Sequence, residues 1–178
     1  RSVVTVLLAS VMAVSALGQP VPRRLDGLRP DWRKIGSSVA DLGLASAAGG
    51  PVDRVWFAEG GRSVFVQTFD GRVFESVDRE NWTHRAGMEV PQKDDSASGI
   101  SYSLPESSSR VVQANASPEQ FYGIGRDVYR SDDGGRHWSN LTRFRRESVI
   151  GEGFRDLAVS PSDPLEIIVA NGYGLWRS

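Results

Sequence analysis

Three segments of this chain align with one another at long, nearly even spacing, and that periodicity constrains the fold more than any other feature. They are Arg72-Val73-Phe74-Glu75-Ser76-Val77-Asp78-Arg79-Glu80-Asn81-Trp82, Asp127-Val128-Tyr129-Arg130-Ser131-Asp132-Asp133-Gly134-Gly135-Arg136-His137-Trp138, and Gly174-Leu175-Trp176-Arg177-Ser178. Their serines, Ser76, Ser131 and Ser178, fall 55 and 47 residues apart, near the period of roughly 40–50 residues at which four-stranded β units repeat. Two short β-branched and aromatic runs precede each segment: 54–58 and 63–69, then 110–114 and 120–124, then 154–159 and 166–170. Gly, Pro, Asp and Ser bound these runs, as at Asp70-Gly71 and Ser160-Pro161-Ser162-Asp163-Pro164, which is how strands joined by tight turns read. No stretch after residue 30 carries a helical apolar period, so the expectation is antiparallel β throughout.

The second segment resembles the Asp-box, or bacterial neuraminidase repeat, whose pattern is Ser-x-Asp-x-Gly-x-x-Trp; Ser131, Asp133, Gly135 and Trp138 match it. The first segment keeps Ser76, Asp78 and Trp82, but Glu80 stands at the glycine and one residue is missing, which implies a different turn. The third reaches only Ser178. The residue types suit a hairpin: an Asp side chain accepts from turn N–H groups, glycine takes a positive φ at little cost, and Trp pins the turn by its apolar area. That chemistry makes Asp133 structural rather than catalytic. The resemblance implies a β-propeller of four-stranded blades, in a group that includes sialidase-like, xyloglucanase-like, sortilin-like and photosystem II assembly-factor-like proteins.

On that reading the chain divides into a signal peptide (1–18), a linker (19–30) and an incomplete propeller (31–178). The propeller holds a closing strand (31–36), blades at 52–87 and 110–142, and a partial blade at 153–178. Asp31-Trp32-Arg33-Lys34-Ile35-Gly36 echoes the outer-strand segments that begin at Asn81 and His137, and has no three-strand unit ahead of it. A lone outer strand is what ring closure uses, since closure removes exposed sheet edges. About three units fall below the four to eight that usually close. The expectation is therefore an open fan in which residues 32–35 lack inner-strand partners.

The leading residues carry their own message. Arg1, an apolar run over residues 3–17, and small residues at Ala16 and Gly18 read as a secretory signal peptide. The run is short for a membrane span, which takes roughly 20 apolar residues. Export of a chain with no Cys fits a bacterial secreted or periplasmic protein, with no span after cleavage. The absence of Cys also excludes thiolate metal sites and a Cys nucleophile.

Candidate chemistry is sparse. With 2 His among 178 residues, a histidine metal cage is disfavoured. An EF-hand read from Asp132 meets Arg143 where a Glu is required. No cofactor or metal is expected. Lys+Arg number 21 against 22 Asp+Glu, so no basic nucleic-acid footprint exists; Arg143-Phe144-Arg145-Arg146 reads as a solvated loop between blades. The Arg-Ile-Pro segment of sialidases is missing, and Tyr102, Tyr122, Tyr129 and Tyr173 lack a nucleophile's setting. Asp94 and Asp95 lie in a polar insertion, 88–109, that reads as a loop rather than as the paired carboxylates of a glycosidase. No catalytic residue is therefore assigned. The sequence points to a non-enzymatic binding module for a protein or carbohydrate ligand, the alternative being a sialidase- or xyloglucanase-like glycoside hydrolase.

Overall fold

The runs rich in Val, Ile and Phe do form strands, because branched and aromatic side chains pack well on a pleated, half-buried surface. The structure, a computed structural model, describes residues 31–35, 50–92, 106, 110–115 and 117–178. The expected signal peptide and linker, Asp94, Asp95 and Tyr102 lie outside the described residues. Fourteen strands follow in chain order: β1 (Arg33–Lys34), β2 (Val52–Phe57), β3 (Val64–Thr68), β4 (Val73–Ser76), β5 (Thr83–His84), β6 (Arg110–Ala114), β7 (Ser117–Ile124), β8 (Val128–Ser131), β9 (Ser139–Asn140), β10 (Arg143–Phe144), β11 (Glu147–Ser148), β12 (Asp156–Val159), β13 (Ile167–Asn171) and β14 (Gly174–Arg177). Among the described residues no helix occurs.

Twelve of these strands make three four-stranded antiparallel sheets. Sheet I runs β2-β3-β4-β5, sheet II β6-β7-β8-β9, and sheet III β12-β13-β14-β1. The fold is all-β, with the blade-like meanders of a partial β-propeller. Registers follow the turns: Val66 faces Phe74 across β3–β4, Tyr122 faces Arg130 across β7–β8, and Val169 faces Trp176 across β13–β14.

Sheet III is the centre of the packing. Its strand β13 reads Ile167-Ile168-Val169-Ala170, an unbroken apolar run, and all four residues are buried. Ile168 and Ala170 join Ala158 and Leu175 against Val55, Val64 and Val66 of sheet I. Ile167 and Val169 join Leu157 against Tyr122, Ile124 and Val128 of sheet II. Successive side chains leave a strand on opposite faces, so a sheet covered on both sides must be apolar at every position.

One expectation fails here. Residues 32–35 do not lack inner-strand partners: Arg33 pairs with Arg177, Lys34 with Trp176, and the Ile35 N–H donates to Leu175 O at 3.1 Å. β14 presents an open ladder edge, and a strand of outer-blade character satisfies it. The sheets do not pack in chain order: sheet III, the last in the chain, lies between the first two. A further difference concerns residues 143–148, of which 143–146 are expected as a solvated loop. They form the hairpin β10–β11, with Arg145 and Arg146 at its tip, at φ 50° and 78°. Two-residue hairpins of this shape usually announce themselves through Asn-Gly or Asp-Gly, and here that signal is missing.

Candidate functional site

The inner strands β2, β6 and β12 come from three different sheets, and their convergence creates the chemistry of the molecule. Asp156, the first residue of β12, is 1% exposed. Its Oδ2 accepts from the Val55 N–H of β2 at 2.9 Å, and its Oδ1 pairs with the Arg110 guanidinium of β6. One carboxylate thus binds all three sheets at their inner edge. A charge so deeply buried is tolerable only when paired and hydrogen-bonded.

Toward the C-terminal ends of the same strands the sheets diverge and leave a cleft of about 360 Å³, within the usual size of a small-ligand site. Trp56, Arg54 and Glu59 line it from β2 and the turn after it; Arg110, Gln113 and Asn115 line it from β6 and its end. Leu157, Ala158 and Val159 of β12 supply its apolar floor. The Trp56 ring stacks on Phe65, its partner across β2–β3, with centroids 5.6 Å apart and planes inclined by 14°. The Arg54 guanidinium lies 6.0 Å from the Trp56 ring centroid and donates to Pro91 O. Phe65 thereby fixes one face of the indole, and Arg54 flanks the cleft with positive charge. Among the lining residues, Glu59 is the one carboxylate.

None of these residues was singled out from the sequence. Arg54 and Trp56 alternate with Val55 and Phe57 as any half-buried strand would. Only the position of Asp156, a charge opening the otherwise apolar run Leu157-Ala158-Val159, could have been noticed.

The residues that were singled out build hairpins instead. In the β8–β9 hairpin the Ser131 hydroxyl lies 2.9 Å from Asp133 Oδ1 and accepts from the Gly135 N–H. Asp133 Oδ1 accepts from the N–H groups of Arg136 and His137 at 3.1 and 2.9 Å. Gly134 and Gly135 take φ of 74° and 85°. The shorter β4–β5 hairpin uses the same device one residue earlier: Ser76 lies 3.2 Å from Asp78 Oδ1, which accepts from the N–H groups of Glu80 and Asn81. Arg79 supplies the positive φ, 66°. Its guanidinium is held by the carbonyls of Gly61 and Arg62 and by Glu166, just ahead of β13. The backbone N–H of His137, then its ring and the Ser131 hydroxyl, hold the Asp133 carboxyl well below the usual range. The Asn81 backbone and side chain, then the Glu80 N–H, do the same for Asp78.

The tryptophans of the two hairpins are both half-buried but touch different groups. Trp82 packs against the core between sheets I and III, whereas Trp138 donates from Nε1 to Gly135 O at 3.0 Å. Ser178 closes the ladder through its N–H to Ile167 O. Tyr122 is buried, which pushes its phenol up to about 12, and its hydroxyl donates to Pro164 O in the β12–β13 turn at 2.8 Å. Burial, then Glu106, pushes Tyr129 up to about 12. Tyr173 lies exposed in the β13–β14 turn. None of these tyrosines, and neither hairpin aspartate, lines the cleft.

No family model matches the chain, and no curated protein matches it. Solved structures similar to it include the GH74 xyloglucanase from Xanthomonas campestris, at 18% identity and a TM-score of 0.31, covering 76% of this chain and 22% of that one. A GH74 enzyme of Niastella koreensis gives 14% identity and a TM-score of 0.29 over 71% of this chain and 21% of that one. YCF48 bound to D1 peptide gives 20% and 0.24, over 66% and 31%. The chain thus spans less than a third of the length of each of these structures.

Proposed function

We propose that this chain belongs to an exported, Asp-box type propeller that binds a carbohydrate in the cleft where β2, β6 and β12 converge, without cleaving it. The observation that supports this reading is the lining. Trp56, backed by Phe65, offers a rigid apolar ring for a sugar face; Gln113, Asn115 and Arg54 stand around it as hydrogen-bonding groups. Such a mix of one aromatic platform and a few polar groups is typical of small-ligand sites. Export is read from the apolar run 3–17 with Ala16 and Gly18, and N-terminal sequencing of the exported protein should begin near Gln19.

A glycoside hydrolase is the second reading, and Glu59 in the lining is the observation that favours it. Hydrolysis by the usual route takes two carboxylates facing each other across the bond to be cut. The test is a glycan array followed by titration of each hit, with a reducing-end assay in parallel. Saturable binding that is lost in Trp56→Ala, without release of reducing ends, is the expected result. Turnover abolished by Glu59→Gln would transfer the assignment to the hydrolase. Binding unaffected by Trp56→Ala would remove the cleft from either reading.

A further inference from the structure

We infer that the end of the sheets at which β2 and β12 begin is a docking face for an anionic lipid surface. Four of the seven most exposed large apolar side chains among the described residues gather there: Phe69 at 69%, Tyr173 at 66%, Val149 at 53% and Phe144 at 40%. All four sit in the turns and the hairpin at that end. Phe69, in the β3–β4 turn, donates its N–H to Pro51 O just ahead of β2, and the Arg155 guanidinium, just ahead of β12, lies 6.0 Å from its ring. The Tyr173 ring lies against Gly151, where an added Cβ would meet it at 2.6 Å. Val149 donates to Thr142 O at the base of the β10–β11 hairpin, and Phe144 lies on that hairpin beneath Arg145, 5.1 Å away.

Charge selects the partner. The acids of these segments are mostly engaged: Asp70 by Arg72, Asp127 by Arg143, and Glu152 by Arg126. Asp53 and Glu147 remain. Arg145, Arg146 and Arg155 have no carboxylate partner among the described residues, and all three are exposed. Arg145 and Arg146 hold the left-handed backbone that glycine or asparagine ordinarily supplies in such a tip, so the hairpin extends two guanidiniums rather than a bare turn.

Shape separates a bilayer from other anionic partners. The aromatic rings stand out from separate turns instead of lining a groove, so a partner must accept several protrusions at once. A bilayer interface does so without matched pockets: aromatic and aliphatic tips enter the headgroup boundary while arginines meet lipid phosphates. A peptide or glycan chain would touch one tip at a time.

The cysteine-free sequence permits a site-specific test on the full chain. Single cysteines carrying an environment-sensitive fluorophore are placed on the docking face, Val149→Cys and Gly172→Cys, and at the opposite end, Val77→Cys and Leu165→Cys. Gly172 has open space for a side chain. With vesicles containing phosphatidylglycerol, the two docking-face labels should shift to the blue and the two opposite labels should not; pure phosphatidylcholine should move none of them. Replacing Arg145 and Arg146 together by Ala should weaken the response about 30-fold at low salt, at the usual contribution of one basic residue each. Phe69→Ser with Tyr173→Ser should abolish the blue shift while circular dichroism stays unchanged. All four labels shifting alike, or docking-face labels remaining in water on anionic vesicles, would overturn the inference. A blue shift without vesicles that grows with protein concentration would assign the face to a second copy of the chain instead.

Discussion

Replacing Asp156 by Ala tests whether one carboxylate couples the three sheets. The side chain is 1% exposed and sits at the inner edge where sheets I, II and III meet. Its removal takes the acceptor from the Val55 N–H, bonded at 2.9 Å, and takes the carboxylate from Arg110. Breaking a buried ion pair by removing one partner costs about 3–5 kcal/mol. Loss of an acceptor from a buried N–H costs roughly 1–3 kcal/mol on its own. The two losses share one cause and are not summed, so the expected cost is about 3–5 kcal/mol. With a urea m-value near 1.5 kcal/mol/M, the unfolding midpoint should fall by about 2–3 M. Asp156→Asn keeps an oxygen for Val55 and should cost less than Asp156→Ala. Arg110→Met, combined with each in a double-mutant cycle, isolates the charge pairing from the backbone bond. A cost below about 1 kcal/mol for Asp156→Ala, at unchanged m, is the scale of an exposed pair and would refute the coupling.

Asp133 is held below its ordinary pKa of 3.8 in the folded chain. A carboxyl depressed in this way stabilises the fold fully above 3.8 and loses that contribution as pH falls through the folded value. The stability gap between the unmutated chain and Asp133→Asn should therefore be widest near neutral pH and close in acid, read from urea midpoints at several pH values; a gap that widens in acid contradicts the turn geometry. The two half-buried hairpin tryptophans should separate by what they touch: Trp82→Ala, packed on the I–III core, should cost less than the roughly 3–5 kcal/mol of a fully buried ring but more than Trp138→Ala. Equal costs in thermal or urea unfolding would show that the contact of Trp82 with the I–III core adds nothing.

What the sequence made legible was local. The spacing of Ser76 and Ser131 marks the β4–β5 and β8–β9 hairpins, and the strand runs fall within a few residues of their observed bounds, because turn chemistry and β-branched content act over short stretches of chain. The order of the sheets was not legible. Ile167-Ile168-Val169-Ala170 announces a strand buried on both faces but does not say which sheets cover it. The pairing of Arg33 with Arg177 and the meeting of Asp156 with Arg110 and Val55 depend on long-range geometry that no local pattern encodes. The cleft was missed for the same reason: Arg54, Trp56 and Gln113 read as ordinary strand residues until three inner strands converge.

The pairing of β1 with β14 also sets a schedule. Arg33 leaves the ribosome 144 residues before Arg177, its register partner, and at about 5–20 residues per second that interval lasts roughly 7–30 s. Throughout it, sheets I and II can form while the first strand waits without an edge to join. Sheet III, which supplies the shared face for both, is completed only when the two distant segments meet, and long-range pairing of this kind is slow. A nascent chain must therefore keep the apolar faces of sheets I and II from other partners until synthesis reaches β14. The interval before β1 finds β14 is the aggregation-prone phase of its biogenesis, and a chaperone that binds exposed β faces would act then.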